Sequence, residues 1–156
     1  MKKIKSNRQL DYSKFDTDMT AFVNDNDIES PSEYLIVTSI KERITYIFKK
    51  EGKMWRLLYK WSCTVGKTST PTIKGVFDVG VKYPAITSEG STVSAKYATN
   101  IVGEYFYHSI LYDLTGTNVY DDRLGVAISH GCIRLDTDNA RWIFDNVPEG
   151  TTIVIN

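Results

Sequence analysis

No stretch of this 156-residue chain approaches the roughly 18 to 20 consecutive apolar residues that a membrane-spanning helix needs. The basic start Met1-Lys2-Lys3 runs into polar residues instead of the apolar core of a signal peptide. The expectation is a chain that neither spans a membrane nor carries its own export signal. Cysteine is scarce as well: Cys63 and Cys132, 69 positions apart, are too few for a disulfide scaffold, and a single bridge between them is not indicated. With two Cys, two His and no C-x-x-C pair, the usual four ligands of a structural zinc site are missing, and no metal or other cofactor is expected. A surplus of one charge is also absent. The 19 Lys and Arg balance 19 Asp and Glu without a block of either sign, which argues against nucleic acid as a partner.

What the chain does have is an ordinary globular composition, 42% hydrophobic and 24% charged, in a length that suits one domain with a real core. Residues 1–33 are polar, with Asp16, Asp18, Asp25, Asp27 and Glu29 breaking up apolar patterns, although Phe15, Met19, Phe22 and Val23 fall at helical spacing. This segment is expected to be a polar N-terminal leader or linker with room for one short helix, and Pro31 marks entry to the folded body at 34–156.

From Tyr34 onward β-branched and aromatic residues dominate, and strands are expected over 34–38, 43–48 and 55–61, the last two joined by a hairpin at Glu51-Gly52-Lys53. Further strands are read at 75–79, 100–108 and 151–155, and the Ser-, Thr-, Pro- and Gly-rich stretch 82–96 reads as a loop. Ala140, Ile143, Phe144 and Val147 follow i, i+3, i+4, i+7 spacing, so a helix is expected over 138–147, capped by Asp136 or Thr137. The whole is mainly β, with sheets in a sandwich or barrel-like arrangement and one or two short helices.

The chemistry concentrates in Ser129-His130-Gly131-Cys132-Ile133-Arg134. A thiol is a strong nucleophile only as thiolate, and with a reference pKa of about 8.5 it needs a nearby base or cation at neutral pH. The chain's two histidines, His108 and His130, are the candidates. His108 projects from a strand face, whereas His130 lies about 6 to 7 Å along an extended backbone from Cys132. Gly131 allows the backbone to turn, so the N–H groups of Gly131 and Cys132 are candidate donors to an oxyanion, where one donor is worth roughly 2.7 to 4 kcal/mol. On residue types alone other readings stay open: an inert buried thiol beside a satisfied histidine, or a metal site of His108, His130 and Cys132. Cys63 reads as core, with a redox partnership to Cys132 as the lesser alternative.

The run Ser129 to Leu135 resembles the signature of the L,D-transpeptidases, the YkuD-type enzymes that cross-link peptidoglycan. Supporting resemblances are Thr70-Pro71 followed by Gly75-Val76-Phe77, Leu124-Gly125 ahead of the signature, and Trp142 with Val147-Pro148-Glu149-Gly150-Thr151 at the close. Twenty residues separate His108 from Ser129, more than the family commonly has, which implies an enlarged loop over 110–123. The resemblance implies Cys132 as nucleophile, His108 as base and Ser109 orienting His108 through its backbone carbonyl. It further implies support of the oxyanion site by Ser129, His130 and Gly131, and a substrate carboxylate engaged by Arg134, for which a structural salt bridge is the equal alternative. Implied partners are donor and acceptor peptidoglycan stem peptides, with carbapenem β-lactams as covalent inhibitors and an extracytoplasmic location in the cell wall or periplasm. Water in place of the amine acceptor gives an L,D-carboxypeptidase or a cysteine peptidase of wall peptides, and a non-catalytic wall-binding module gripping glycan through residues such as Trp55 and Trp61 is the further alternative.

Overall fold

The computed structural model describes residues 9–88 and 90–156. Its first sheet is built from β1 (Tyr34–Ser39), β2 (Ile44–Glu51), β3 (Met54–Ser62), β5 (Gly75–Asp78) and β13 (Thr152–Ile155), in the order β3-β2-β1-β13-β5. β1 to β3 form an antiparallel meander, while β13 inserts parallel to β1, pairing Leu35 with Thr152 through Thr38 with Ile155. Period-two alternation sends Ile36, Ile153 and Ile155 to one face and Leu35, Val37 and Val154 to the other, and both faces are covered. That double burial explains why Leu35-Ile36-Val37 and Ile153-Val154-Ile155 read as unbroken apolar runs.

The second sheet runs β10 (Val119–Asp121), β9 (Leu111–Asp113), β7 (Val93–Val102), β8 (Tyr105–Ser109), β12 (Ile133–Leu135). β6 (Lys82–Thr87) pairs with the opposite edge of β7. A small separate pair joins β4 (Val65–Gly66) to β11 (Ala127–Ser129). The main core fills the space between the sheets with Ile36, Ile47, Cys63, Tyr107, Ile133, Leu135 and Ile153 among others. A polar tie crosses it: the Thr38 hydroxyl lies 2.7 Å from the Tyr107 hydroxyl and 2.9 Å from that of Thr45. Burying these three hydroxyls together satisfies each without water.

Helix α2 (Thr137–Asn146) closes one side, burying Ala140 and Ile143. Asp136 caps it by accepting the Asp138 N–H at 3.0 Å. At its other end Lys82 Nζ donates to the carbonyls of Phe144 (2.8 Å), Ile143 (3.3 Å) and Val147, placing a cation where the helix dipole is negative.

Three expectations differ from the structure. Residues 9–33 are not a linker: Phe15, Met19, Phe22, Val23 and Ile28 form a second core against Leu35, Val37, Phe48 and Val154, with α1 (Met19–Asp25) supplying its centre. The Asn24 side chain also bonds the Trp55 N–H and carbonyl, covering the start of the exposed β3 edge. The stretch 82–96 is an antiparallel pair of β6 with the start of β7, in which Pro84 is tolerated because β6 is an edge strand. Finally, 100–108 is two strands, since the chain turns at Gly103-Glu104 between β7 and β8. The segment 110–123 carries β9 and β10 folded back as a pair.

Candidate active site

β8 and β12 lie side by side and parallel, with His108 opposite Arg134 and Tyr107 opposite Ile133. Cys132 immediately precedes β12, so this pairing brings it beside the start of β8. The two residues share a cleft of about 780 Å³ whose opposite wall comes from β6 and β7 through residues such as Tyr83, Ile86 and Ser94. Cys132 is half-buried at its floor, with Sγ 3.4 Å from the Glu104 carbonyl, and His130 is exposed at its rim.

His108 is 6% exposed. Its Nδ1 lies 2.7 Å from the Ser109 carbonyl, the contact the resemblance implies. A carbonyl accepts only, so Nδ1 carries the proton and Nε2 is the basic nitrogen. The Ser109 hydroxyl holds this carbonyl's own residue in place, accepting the Lys96 N–H at 2.8 Å and donating to the Ile110 carbonyl at 2.6 Å. Burial pushes His108 down to about 4, with the Ser109 contact opposing and the Arg134 guanidinium adding to the fall. Burial also raises the Cys132 thiol above its ordinary value, against smaller lowering effects of the Phe106 backbone and Arg134. Both shifts favour a neutral thiol and a neutral imidazole over a thiolate–imidazolium pair.

The loop before Cys132 is held from several sides. Ser129 Oγ accepts the Gly131 N–H at 3.1 Å and donates to the Cys132 carbonyl at 2.6 Å. Thr72, which is buried, donates to the Gly131 carbonyl at 2.8 Å, and Thr70 donates to the Ser129 carbonyl at 2.8 Å. Gly131 has φ +126°, and a Cβ there would lie 2.7 Å from a Tyr105 ring carbon, so no other residue fits without displacement. The expected oxyanion pair is thus modified. The Gly131 amide is engaged by Ser129 Oγ, which leaves the Cys132 amide as the remaining candidate of the two.

Arg134 is 9% exposed and does not face open solvent; its Nη1 lies 3.3 Å from Asp121 Oδ2. Arg123 also grips Asp121, donating to the same Oδ2 at 2.8 Å and to Oδ1 at 3.0 Å, and these hydrogen bonds hold its carboxyl well below the usual range. The structural salt bridge, one of the two readings of Arg134, is therefore the one its surroundings supply. Cys63 is fully buried in the core, its thiol pushed up to about 12 by desolvation, and both cysteines are free thiols. Among the described residues no group of three His, Cys, Asp or Glu is placed to hold a metal ion, so His108, His130 and Cys132 do not converge as a ligand set.

Thr70, Thr72 and Asp121 complete the site, and sequence reasoning assigned none of them a role there. Thr70 had a signal in the Thr70-Pro71 motif, whereas Thr72 and Asp121 act across the fold and had none.

Comparison with known proteins agrees with this architecture. The family model described as YkuD, the L,D-transpeptidase catalytic domain, matches residues 33–155. YciB of Bacillus subtilis is 33% identical over 129 residues, covering 78% of this chain and 64% of its own length. A solved Clostridium acetobutylicum protein described as a fused Zn-dependent amidase/peptidase/peptidoglycan-binding domain-containing protein is 39% identical, with a TM-score of 0.73 over 97% of this chain and 66% of that one. The solved complex of the L,D-transpeptidase LdtMt1 with imipenem is 25% identical, with a TM-score of 0.62 over 80% of this chain and 59% of that one. The chain spans just under two thirds of the first two relatives. With the family model covering most of its length and the curled two-sheet fold shared with solved members, the chain belongs to the YkuD family of L,D-transpeptidase catalytic domains.

Proposed function

We propose that this chain carries out L,D-transpeptidation of peptidoglycan through a thioester on Cys132. The observation that carries the reading is the meeting of Cys132 with a buried His108 whose Nδ1 is locked on the Ser109 carbonyl, so that Nε2 is free to move protons in the same cleft. In the first half, His108 Nε2 takes the Cys132 proton as sulfur attacks the carbonyl between stem residue three and D-Ala four. The C–N bond breaks, the proton passes to the departing D-Ala amine, and a thioester remains. In the second half an amine of a neighbouring stem attacks the thioester carbon. Its proton goes to His108 and then to the sulfur, which leaves as the restored thiol, and a 3–3 cross-link results. The thioester keeps the energy of the cleaved peptide bond, so the exchange needs no nucleotide. The Cys132 N–H supports the oxyanion in both halves, worth about 3 kcal/mol for one well-aimed donor.

Because thiol and imidazole are both neutral at rest, proton transfer accompanies attack instead of preceding it. A carbapenem, a strained acyl donor, enters the same first step and stops at the acyl-enzyme; the wall or periplasm as the site of action follows from the proposed stem-peptide substrate. No described helix is long and apolar enough to cross a membrane.

Mass spectrometry tests the reading. Imipenem should add one adduct to the unaltered chain and none to Cys132→Ala; an adduct on that variant would remove Cys132 from its role. Muropeptide incubation then separates the outcomes, since 3–3 dimers support cross-linking while tripeptide alone assigns the L,D-carboxypeptidase alternative.

A further inference from the structure

Among the described residues lining the cleft, Glu104 is the one acidic side chain, and no Lys or Arg lines it. Glu104 stands exposed at the turn between β7 and β8, and no ion pair engages it among the described residues. This turn is fixed over the nucleophile. Asn100 Nδ2 donates to the carbonyls of Gly103 at 2.8 Å and Tyr105 at 3.3 Å, and the Glu104 carbonyl lies 3.4 Å from Cys132 Sγ. After burial and the lowering contributions of Phe106 and Arg134, the Glu104 charge is a further influence on the Cys132 thiol, raising it, so carboxylate and sulfur sense one another.

From this placement we infer that Glu104 recognises the ammonium group of the incoming acceptor and so directs the thioester toward an amine in preference to water. The inference rests on the transpeptidase reading above. In the second half-reaction the nitrogen must arrive at the carbon bonded to sulfur, and an alkyl amine with a pKa of about 10 reaches a neutral cleft as a cation. A carboxylate with no ion-pair partner among the described residues, carried on the turn whose backbone touches the sulfur and in a cleft that no Lys or Arg lines, raises the local concentration of that cation and does nothing for water. The first half-reaction has no such requirement, because the carbonyl that meets the thiol is uncharged. Glu104 binds and orients; the ammonium gives one proton to solvent before it attacks, and the proton shed on forming the amide passes through His108 to the sulfur.

The test uses the full chain with a tetrapeptide stem as donor. Acceptors are a stem peptide with a free side-chain amine and, separately, hydroxylamine, which is uncharged at neutral pH. For Glu104→Gln the expected result is a rise of about fivefold in KM for the cationic acceptor, the size of one partly exposed ion pair. The ratio of cross-linked to hydrolysed product should fall by the same factor, with D-Ala release and hydroxylamine capture no slower than in the parent, since losing the charge eases ionisation of Cys132. Glu104→Asp should recover part of the loss, and added salt should narrow the gap between variant and parent. An unchanged product ratio overturns the inference. So does an equal fall in hydroxylamine capture, which marks a structural defect, and so does a matching slowdown of D-Ala release, which gives the ammonium to the donor stem. A parent chain that releases no D-Ala sinks the transpeptidase reading itself, an outcome separable from all of these.

Discussion

Acidification from pH 7 to pH 4 probes the buried imidazole of His108 directly. Burial holds its folded-state value at about 4, against an ordinary 6.5 when the chain unfolds. Above 6.5 both states carry the neutral ring. Between 6.5 and 4 the unfolded chain binds a proton that the folded chain refuses, so stability present at neutral pH is lost as pH falls through this window. At about 1.4 kcal/mol per pH unit, the loss is about 3 kcal/mol, a large share of the 5 to 15 kcal/mol that holds a typical domain. Urea denaturation of the parent and of His108→Asn at half-unit steps from pH 7 to pH 4 isolates this contribution. Asparagine has no proton to gain, and its amide N–H can still donate to the Ser109 carbonyl. Whatever the variant costs at pH 7, its advantage relative to the parent should grow by about 3 kcal/mol toward pH 4, with other carboxylates cancelling in the difference. Parallel curves for the two proteins would refute a buried, depressed His108. The same depression places the acid limb of Cys132 acylation near 4 instead of near 6.5.

Ser129→Ala should cost about 1 to 3 kcal/mol, because it strands the buried Gly131 N–H that Ser129 Oγ now accepts, and imipenem acylation should slow along with it. Thermal melting and a time course of adduct mass check the two effects; an unchanged acylation rate would separate the loop's geometry from the chemistry. Phe22→Ala should cost about 3 to 5 kcal/mol, since Phe22 is fully buried in the N-terminal core, with its ring 5.0 Å from that of Phe15. Denaturant midpoints read this out, and a loss below about 1 kcal/mol would show that residues 9–33 lie on the sheet without stabilising it.

The legible parts of the fold were those where one element's own residues settle its surroundings. β1 and β13 carry apolar residues at consecutive positions because both faces are covered, and α2 shows its buried stripe and Asp136 cap in plain spacing. β6 was illegible because an exposed edge strand has no buried face to impose alternation, and its pairing comes from β7. The same divide runs through the site. Cys132, its flanking run and the strand carrying His108 were local signals. Thr70 and Thr72 each reach 59 positions along the chain to brace the cysteine loop, and Glu104 meets the thiol across 28. No local periodicity encodes contacts of that reach.

The parallel alignment of β1 with β13 also bears on how the chain acquires its shape. Leu35 pairs with Thr152, 117 positions later, so the middle of the first sheet cannot close until distant segments meet. Contacts of such separation slow the search, whereas the β1–β2–β3 meander needs only short loops and forms early. In the interval β1 presents an apolar, unpaired edge, the template on which strands of other molecules add. Refolding is therefore expected to be slow and concentration-sensitive, and yield should improve with dilution or with anything that shields this edge until β13 docks.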